Sequence, residues 1–333
     1  MDNLISWLGE VGLTVLGDTV GMLIDPARRI FLPGLVITLV IAMAVTLHRH
    51  RSEGLRGALR RCLSPHVWLH GSALLDLKLI FANSLFRLIL VVPFGITAIG
   101  LAHGVVSFLD AALGTPDTSG WSDTVVVAVY TVALFVCWDL SRYLVHRLAH
   151  EVPFLWELHK VHHSAEVLTP LTLYRVHPVE RILFWVRGIV VTGLVTGIFF
   201  HVFRDRSVQL ELLGINVLGL AFNALGANLR HSHVWLSYGH FIEHLFISPA
   251  QHQVHHSVEV DHQMSNYGSC LAVWDWAFGS LWTTTPKSVA LRFGLAPEDQ
   301  NHDPRSLVSA ILEPLGTRAS SPPAYVEEPS SPA

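Results

Sequence analysis

The chain has 333 residues, of which 51% are hydrophobic and only 14% charged, against about 25% charged in an ordinary soluble domain. A soluble fold needs more charge to cover its surface, and a disordered chain needs fewer apolar residues. The formal net charge of −4 gives no footing for nucleic acid. The fold class that remains is an all-α integral membrane protein. The three cysteines, Cys62, Cys137 and Cys270, are single and far apart, so they form neither a disulfide framework nor a CxxC site.

At the N-terminus, Leu4, Leu8, Val11 and Val15 fall at helical spacing with Glu10 off the stripe, and no basic segment of a secretory signal precedes them. Residues 1–30 are therefore expected to hold an interfacial helix ending near Gly17. Charge-free windows follow at 31–47, 88–109, 124–138, 188–203 and 212–229. A span takes about 20 apolar residues, so four to five transmembrane helices are expected, the last two windows being a possible hairpin. Asp76, Lys78 and Arg87 make 73–87 an approach helix rather than a span.

Arg49, Arg51, Arg56, Arg60 and Arg61 follow the first window, whereas the loop 110–123 carries Asp110, Asp117 and Asp123 and no basic residue. The positive-inside rule then makes the first loop cytoplasmic, and alternation puts 140–181 and 230–333 on that face as a histidine-rich helical cap. Arg28, Arg29, Arg204 and Arg206 fall on the other side in this scheme. Four regions are expected: the N-terminal helix 1–30, a transmembrane region 31–120, a catalytic region 121–285, and an extension 286–333. The Pro, Ser and Glu content makes that extension disordered from about 312.

The chain contains 21 histidines. His146 and His150 form HxxxH. His159, His162 and His163 form HxxHH, and His252, His255 and His256 form a second HxxHH. On a helix, positions i, i+3 and i+4 share a face, so each box offers imidazoles, which are metal ligands when neutral, along one stripe. His231 and His233 lie between the boxes in RHSH, with His177 in RVHP. His48, His50, His66, His70, His103, His201, His262 and His302 are isolated and are read as surface or hydrogen-bonded residues. A structural zinc site needs only four ligands; eight or more imidazoles point to two metal ions. HExxH fails at 150–154, where Phe154 replaces the second histidine and Pro153 breaks the helix.

HRLAH, HKVHH, and HQVHH followed by SNYGSCLAVWDWAFGSLW resemble the fatty acid hydroxylase/sterol desaturase superfamily, in its bacterial type, over residues 125–285. The resemblance implies a di-iron monooxygenase or desaturase using O2 on a lipid or sterol-like alkyl group. It implies metal ligation by His146, His150, His159, His162, His163, His177, His231, His252, His255 and His256. His233, His240 and His244 are alternatives to His231 or lie behind the ligands, and Asp139, Asp275 and Asn266 are expected as supporting partners of the imidazoles. The chain carries no dinucleotide motif and no iron–sulfur cysteine cluster. Electrons would therefore come from a separate reductase, ferredoxin or cytochrome. The competing class is a membrane metal-binding or metal-transport protein, which would place ionisable residues near the bilayer midplane. Arginine supplies all but three of the basic residues, which points to a GC-rich bacterial genome and an inner membrane.

Overall fold

The computed structural model describes residues 2–90, 97–117, 120–204, 211–212, 215–296 and 302–316. Among these the regular secondary structure is helical apart from a two-residue antiparallel ladder, β1 (Glu211–Leu212) with β2 (Ile215–Asn216), and two isolated bridges. In chain order the helices are α1 (Asp2–Gly21), α2 (Leu32–Arg49), α3 (Gly54–Cys62), α4 (Pro65–Trp68), α5 (Gly71–Leu90), α6 (Ala98–Leu113), α7 (Asp123–Glu151), α8 (Pro153–His163) and α9 (Pro178–Phe203). The short helices α10 (Val217–Ala224), α11 (Pro249–His255), α12 (Val260–Gln263) and α13 (Val273–Ala277) follow, and α14 (Leu307–Gly316) comes last.

Three helices, α2, α7 and α9, are long and apolar enough to cross a membrane. The window 124–138 extends through HRLAH as one helix of 29 residues, so His146 and His150 continue the span itself. The window 188–203 is the second half of a 26-residue helix that starts at Pro178, whose missing N–H costs nothing at a first turn. The window 212–229 does not form a span. It holds α10, eight residues or about 12 Å of rise, followed by the left-handed Gly226 and a 3-10 turn over Ala227–Arg230. The window 88–109 is split between α5 and α6, with 91–96 outside the described residues.

α1 runs four residues past the expected stop at Gly17. Asp18 is tolerated there because it pairs with Arg87 of α5. The C-terminal extension is ordered further than its composition suggests: 312–316 belong to α14, whose Ala310 packs in a buried cluster with Leu75, Leu79 and Val161. Residues 317–333 lie outside the described residues.

α7 and α9 run antiparallel. Tyr130 Oη meets Thr196 Oγ1 at 2.8 Å, Arg187 Nη1 donates to the Trp138 carbonyl at 3.0 Å, and Trp121 stacks edge-on against Phe203. α6 runs parallel to α9, and two glycines permit the approach. A Cβ at Gly193 would sit 2.8 Å from the Leu101 side chain, and one at Gly197 2.6 Å from Val105 Cβ. This Gly-x-x-x-Gly face is the small-residue spacing that lets apolar helices pack in lipid. α2 runs beside the segment 228–234: Asn228 Nδ2 donates to the Arg29 carbonyl at 2.9 Å, and Ala42 and Cys62 cluster with Leu229 and Val234. Arg29, expected across the membrane from the histidines, therefore stands beside the segment that carries His231, and Arg206 lies outside the described residues.

Gly197→Ala should destabilise the protein by about 1–3 kcal/mol, the usual cost of overpacking, read as a lowered detergent-solubilised unfolding midpoint. Gly188→Ala, in the same helix but with no atom within 4 Å of its new methyl, should be neutral or slightly stabilising. Equal behaviour of the two variants would show that the glycine face does not carry the α6–α9 contact.

Candidate metal centre

Nine of the expected histidines converge into two adjoining buried groups. His146, His150, His159, His163 and His255 form the first; His162, His231, His252 and His256 form the second. Within each group the potential ligand nitrogens all lie within 4.8 Å of one another. The helical boxes explain the division. In α8 the i and i+4 residues, His159 and His163, enter the first group, while His162, turned by about 100° from His163, enters the second. The second HxxHH box does the reverse: His252 and His256 go to the second group and His255 to the first. Each box thus feeds both groups, and His163 stacks on His256 with ring centroids 4.6 Å apart.

Four rings are oriented by their Nδ1 atoms. His146 donates to the Tyr267 carbonyl at 2.7 Å, His255 to the Ser265 carbonyl at 2.7 Å, His162 to the Arg175 carbonyl at 3.1 Å and His159 to Glu180 Oε1 at 2.6 Å. A neutral imidazole has one N–H, so these bonds leave each Nε2 as a bare lone pair facing inward. His146 Nε2 and His255 Nε2 nevertheless stand 3.1 Å apart. In the second group His231 Nε2 lies 3.2 Å from His162 Nε2, 3.1 Å from His256 Nε2 and 3.0 Å from His252 Nε2. One nitrogen carries at most one proton, so these three contacts cannot all be hydrogen bonds.

Protonation does not relieve the crowding. Burial first, and neighbouring imidazoles second, hold His162, His163, His252 and His256 well below the ordinary imidazole value. Burial also brings His255 down to about 3. At His231 burial is reinforced by Arg230 and Arg29. Both ring nitrogens of His150 and His163, and Nε2 of His159, are buried with no hydrogen-bond partner. Neutral imidazoles with converging lone pairs are a donor set for a first-row metal. Two bonds of about 2.1 Å meeting at a right angle would set their nitrogens about 3.0 Å apart, using zinc–imidazole lengths as the guide. The residues present therefore fit one metal ion in each group. Trp156 and Tyr267 wall the first group, with ring centroids 5.2 Å from that of His150 in both cases.

The other expected residues fall elsewhere. His177 caps α9: its Nδ1 accepts from Val179 N–H and its Nε2 donates to the Ile311 carbonyl, so both ring nitrogens are engaged away from the groups. His233 Nε2 donates to the Arg61 carbonyl, which turns the ring away from His231 as an i, i+2 pair requires. His240 meets Thr283 Oγ1 and His244 meets the His240 carbonyl. Asp139 touches no imidazole; it accepts from Cys270 N, Leu271 N and Trp274 Nε1. Asp275 accepts from the backbone N–H of Tyr267 and of Gly268 and from Ser280, so it fixes the loop whose Tyr267 carbonyl orients His146. Asn266, at φ 57°, ties that loop to the Gln251 carbonyl and Trp282 N–H. Glu180 was not expected as a ligand's partner. Its signal in the sequence is that it is the only carboxylate in the 26 residues of α9.

The class this defines is a membrane protein with a buried, histidine-lined site shaped for two metals. Residues 131–280, the histidine-bearing segment, match the fatty acid hydroxylase family. Among curated relatives, alkylglycerol monooxygenase of Danio rerio is 28% identical over 157 residues, covering 47% of this chain and 31% of the relative. Ornithine lipid hydroxylase of Rhizobium tropici is 28% identical over 165 residues, covering 48% and 44%. A Delta(7)-sterol 5(6)-desaturase of Gibberella zeae is 29% identical over 193 residues, covering 56% and 53%. The matched part thus spans from about a third to about half of these relatives' length. No solved structure matches.

His231→Ala should lower the bound metal from two ions to one per chain, measured by elemental analysis of the purified protein. His233→Ala and His177→Ala should retain both. Glu180→Gln should weaken metal retention about 10- to 100-fold, the usual effect of losing an imidazole's orienting partner. A His231→Ala protein with full metal content would remove His231 from the second group.

Proposed function

We propose that the protein is an O2-dependent di-iron oxidoreductase of the membrane that hydroxylates or desaturates an unactivated C–H bond of a lipid or sterol-like substrate. The observation that carries this reading is the pair of adjoining all-imidazole groups, of five and four histidines, inside a fatty acid hydroxylase segment. Its named relatives are a monooxygenase, a hydroxylase and a desaturase. Bound iron would supply the oxidising chemistry, as cofactors do when the reaction is beyond side chains. In hydroxylation one atom of O2 enters the product and the other leaves as water, with two electrons and two protons taken up. Those electrons would come from a separate reductase, ferredoxin or cytochrome.

The chain's own part is to bind, orient and exclude water. Backbone carbonyls and Glu180 fix which nitrogen each ring presents, and Trp156 and Tyr267 close the first group. Metal transport is less well supported, because a carried ion needs a route through the span, whereas these histidines are gathered at the C-terminal end of α7 and in the segments outside α9.

We also place the site on the cytoplasmic side. His233 meets the Arg61 carbonyl, so the arginine-rich segment 49–61 adjoins the histidine segment. In a chain whose native cysteines are replaced, a cysteine at Thr115 should label from outside the cell and one at Ser52 should not. The reverse pattern would invert the orientation.

Purified protein loaded with iron and given a chemical reductant, O2 and membrane lipid extract should yield products one oxygen atom heavier or two hydrogens lighter than their precursors. His163→Ala should yield none. Full iron occupancy with no such product from fatty acyl, ether-lipid or sterol substrates would refute the oxidation reading.

A further inference from the structure

Four arginines lie within electrostatic reach of one another, two of them, Arg29 and Arg230, beside His231 of the second histidine group, and none in an ion pair with a carboxylate. Arg230 precedes His231 in the chain, and its Nη1 donates to the Ser269 carbonyl. Arg142 of α7 donates from Nε to Ser269 Oγ at 3.0 Å, so two guanidiniums bracket one residue. Arg142 and Arg187 of α9 share the Trp138 ring, at 4.9 and 4.7 Å from its centroid, and Arg230 lies over Phe222 at 5.4 Å. Arg29 enters from the turn before α2. Its Nη1 is buried with no hydrogen-bond partner, as is Nε of Arg187. Among the described residues the terminal nitrogens of Arg142 have no hydrogen-bond partner, since its only hydrogen bond uses Nε.

The nearest acid, Asp139, attracts Arg142, Arg187 and Arg230 through space but hydrogen-bonds to none of them. Asp139 spends both oxygens on Cys270 N, Leu271 N and Trp274 Nε1. Among the described residues no carboxylate forms an ion pair with Arg29, Arg142, Arg187 or Arg230. The contrast with Arg175 is instructive. That guanidinium is fully buried, paired with Asp76 at 3.0 Å, and fills its remaining donors with Ser72, Val161, Ser164 and Pro304. Arg175 is a completed structural clasp; the group of four is not. Burial, with Arg230 and Arg142 nearby, pulls Arg29 down to about 9. Guanidiniums with unfilled donors at membrane depth are costly, and charged residues there commonly mark a substrate pathway. Their planar donor forks match carboxylate and phosphate oxygens.

We propose that Arg29, Arg142 and Arg230, with Arg187 behind Trp138, form a site for the oxyanion of a lipid head group, so that the enzyme takes an anionic amphiphile rather than a neutral sterol. This rests on the lipid-oxidation reading above and names its substrate class: a lipid carrying a carboxylate or phosphate, held by its head beside the second histidine group with its chain among the apolar residues of α7 and α9.

The test reads binding, not turnover. The purified, metal-loaded full-length protein is presented in mild detergent with oleate, dioleoylphosphatidylglycerol, dioleoylphosphatidylcholine or cholesterol, and retained lipid is counted by native mass spectrometry. At least one of the two anionic lipids should be retained about 10-fold or more above phosphatidylcholine and cholesterol, one charge-assisted contact being enough for that factor. Arg142→Gln/Arg230→Gln should lose the preference while keeping both metals. Arg142→Lys, which preserves the charge, should keep part of it. Arg292→Gln, at an exposed arginine paired with Glu259, should match the parent. Inorganic phosphate at millimolar concentration should not displace the lipid; displacement would make this a free-phosphate site. No preference in the parent, or a preference unchanged in the double glutamine variant, would overturn the proposal. Because metal content is measured alongside, a failure here is separable from a failure of the oxidation reading, which depends on product formation.

Discussion

The interior of this protein is organised around lone pairs that must face one another. An imidazole held by a hydrogen bond at Nδ1 has no choice about what Nε2 presents. His146, His159, His162 and His255 are each held in that way, three by backbone carbonyls and one by Glu180. The carbonyls themselves are fixed. Asp275 and Asn266 pin the 265–268 loop that serves His146 and His255, and Arg175 anchors the turn whose carbonyl serves His162. Removing a supporting residue would therefore act on the site through backbone position, with no change in the ligand set.

The HxxHH spacing does more than gather three ligands. Positions i and i+4 lie about 40° apart around a helix axis, whereas i+3 and i+4 diverge by about 100°. A box that fed one group would leave one ring badly aimed. The two boxes, each sending its i, i+4 pair to one group and its i+3 residue to the other, set the groups side by side. The contact of His163 with His256, at 4.6 Å between ring centroids, is the seam between them.

The boxes were legible because they combine a rare residue type with a helical period, and the long apolar windows were legible by hydropathy. What composition did not show has a physical reason in each case. The window 212–229 is apolar without being a span because Gly226 turns the chain, and a hydropathy window does not register a left-handed residue. His177 shares residue type and neighbourhood with the ligands, but the proline after it starts a helix, and its ring is used as the cap. Asp139 sits two turns before His146 on the same helix, yet backbone N–H groups of a distant loop claim both oxygens. The carbonyl partners of the imidazoles leave no mark in a sequence, since every residue has a carbonyl.

The segment that matches the family, 131–280, does not close the site alone. Arg175 reaches outside it to Asp76 and Ser72 in α5 and to Pro304 near the C-terminus. His177 is held by Ile311, and Ala310 packs against Leu75, Leu79 and Val161. The histidine-bearing α8 is thus clamped between an N-terminal helix and a C-terminal one that the family match does not cover. Arg29, from the same N-terminal region, stands with Arg142 and Arg230 beside the second group. The nine imidazoles come from the shared segment, while Asp76, Ser72, Pro304 and Arg29 reach its surroundings from the flanking parts.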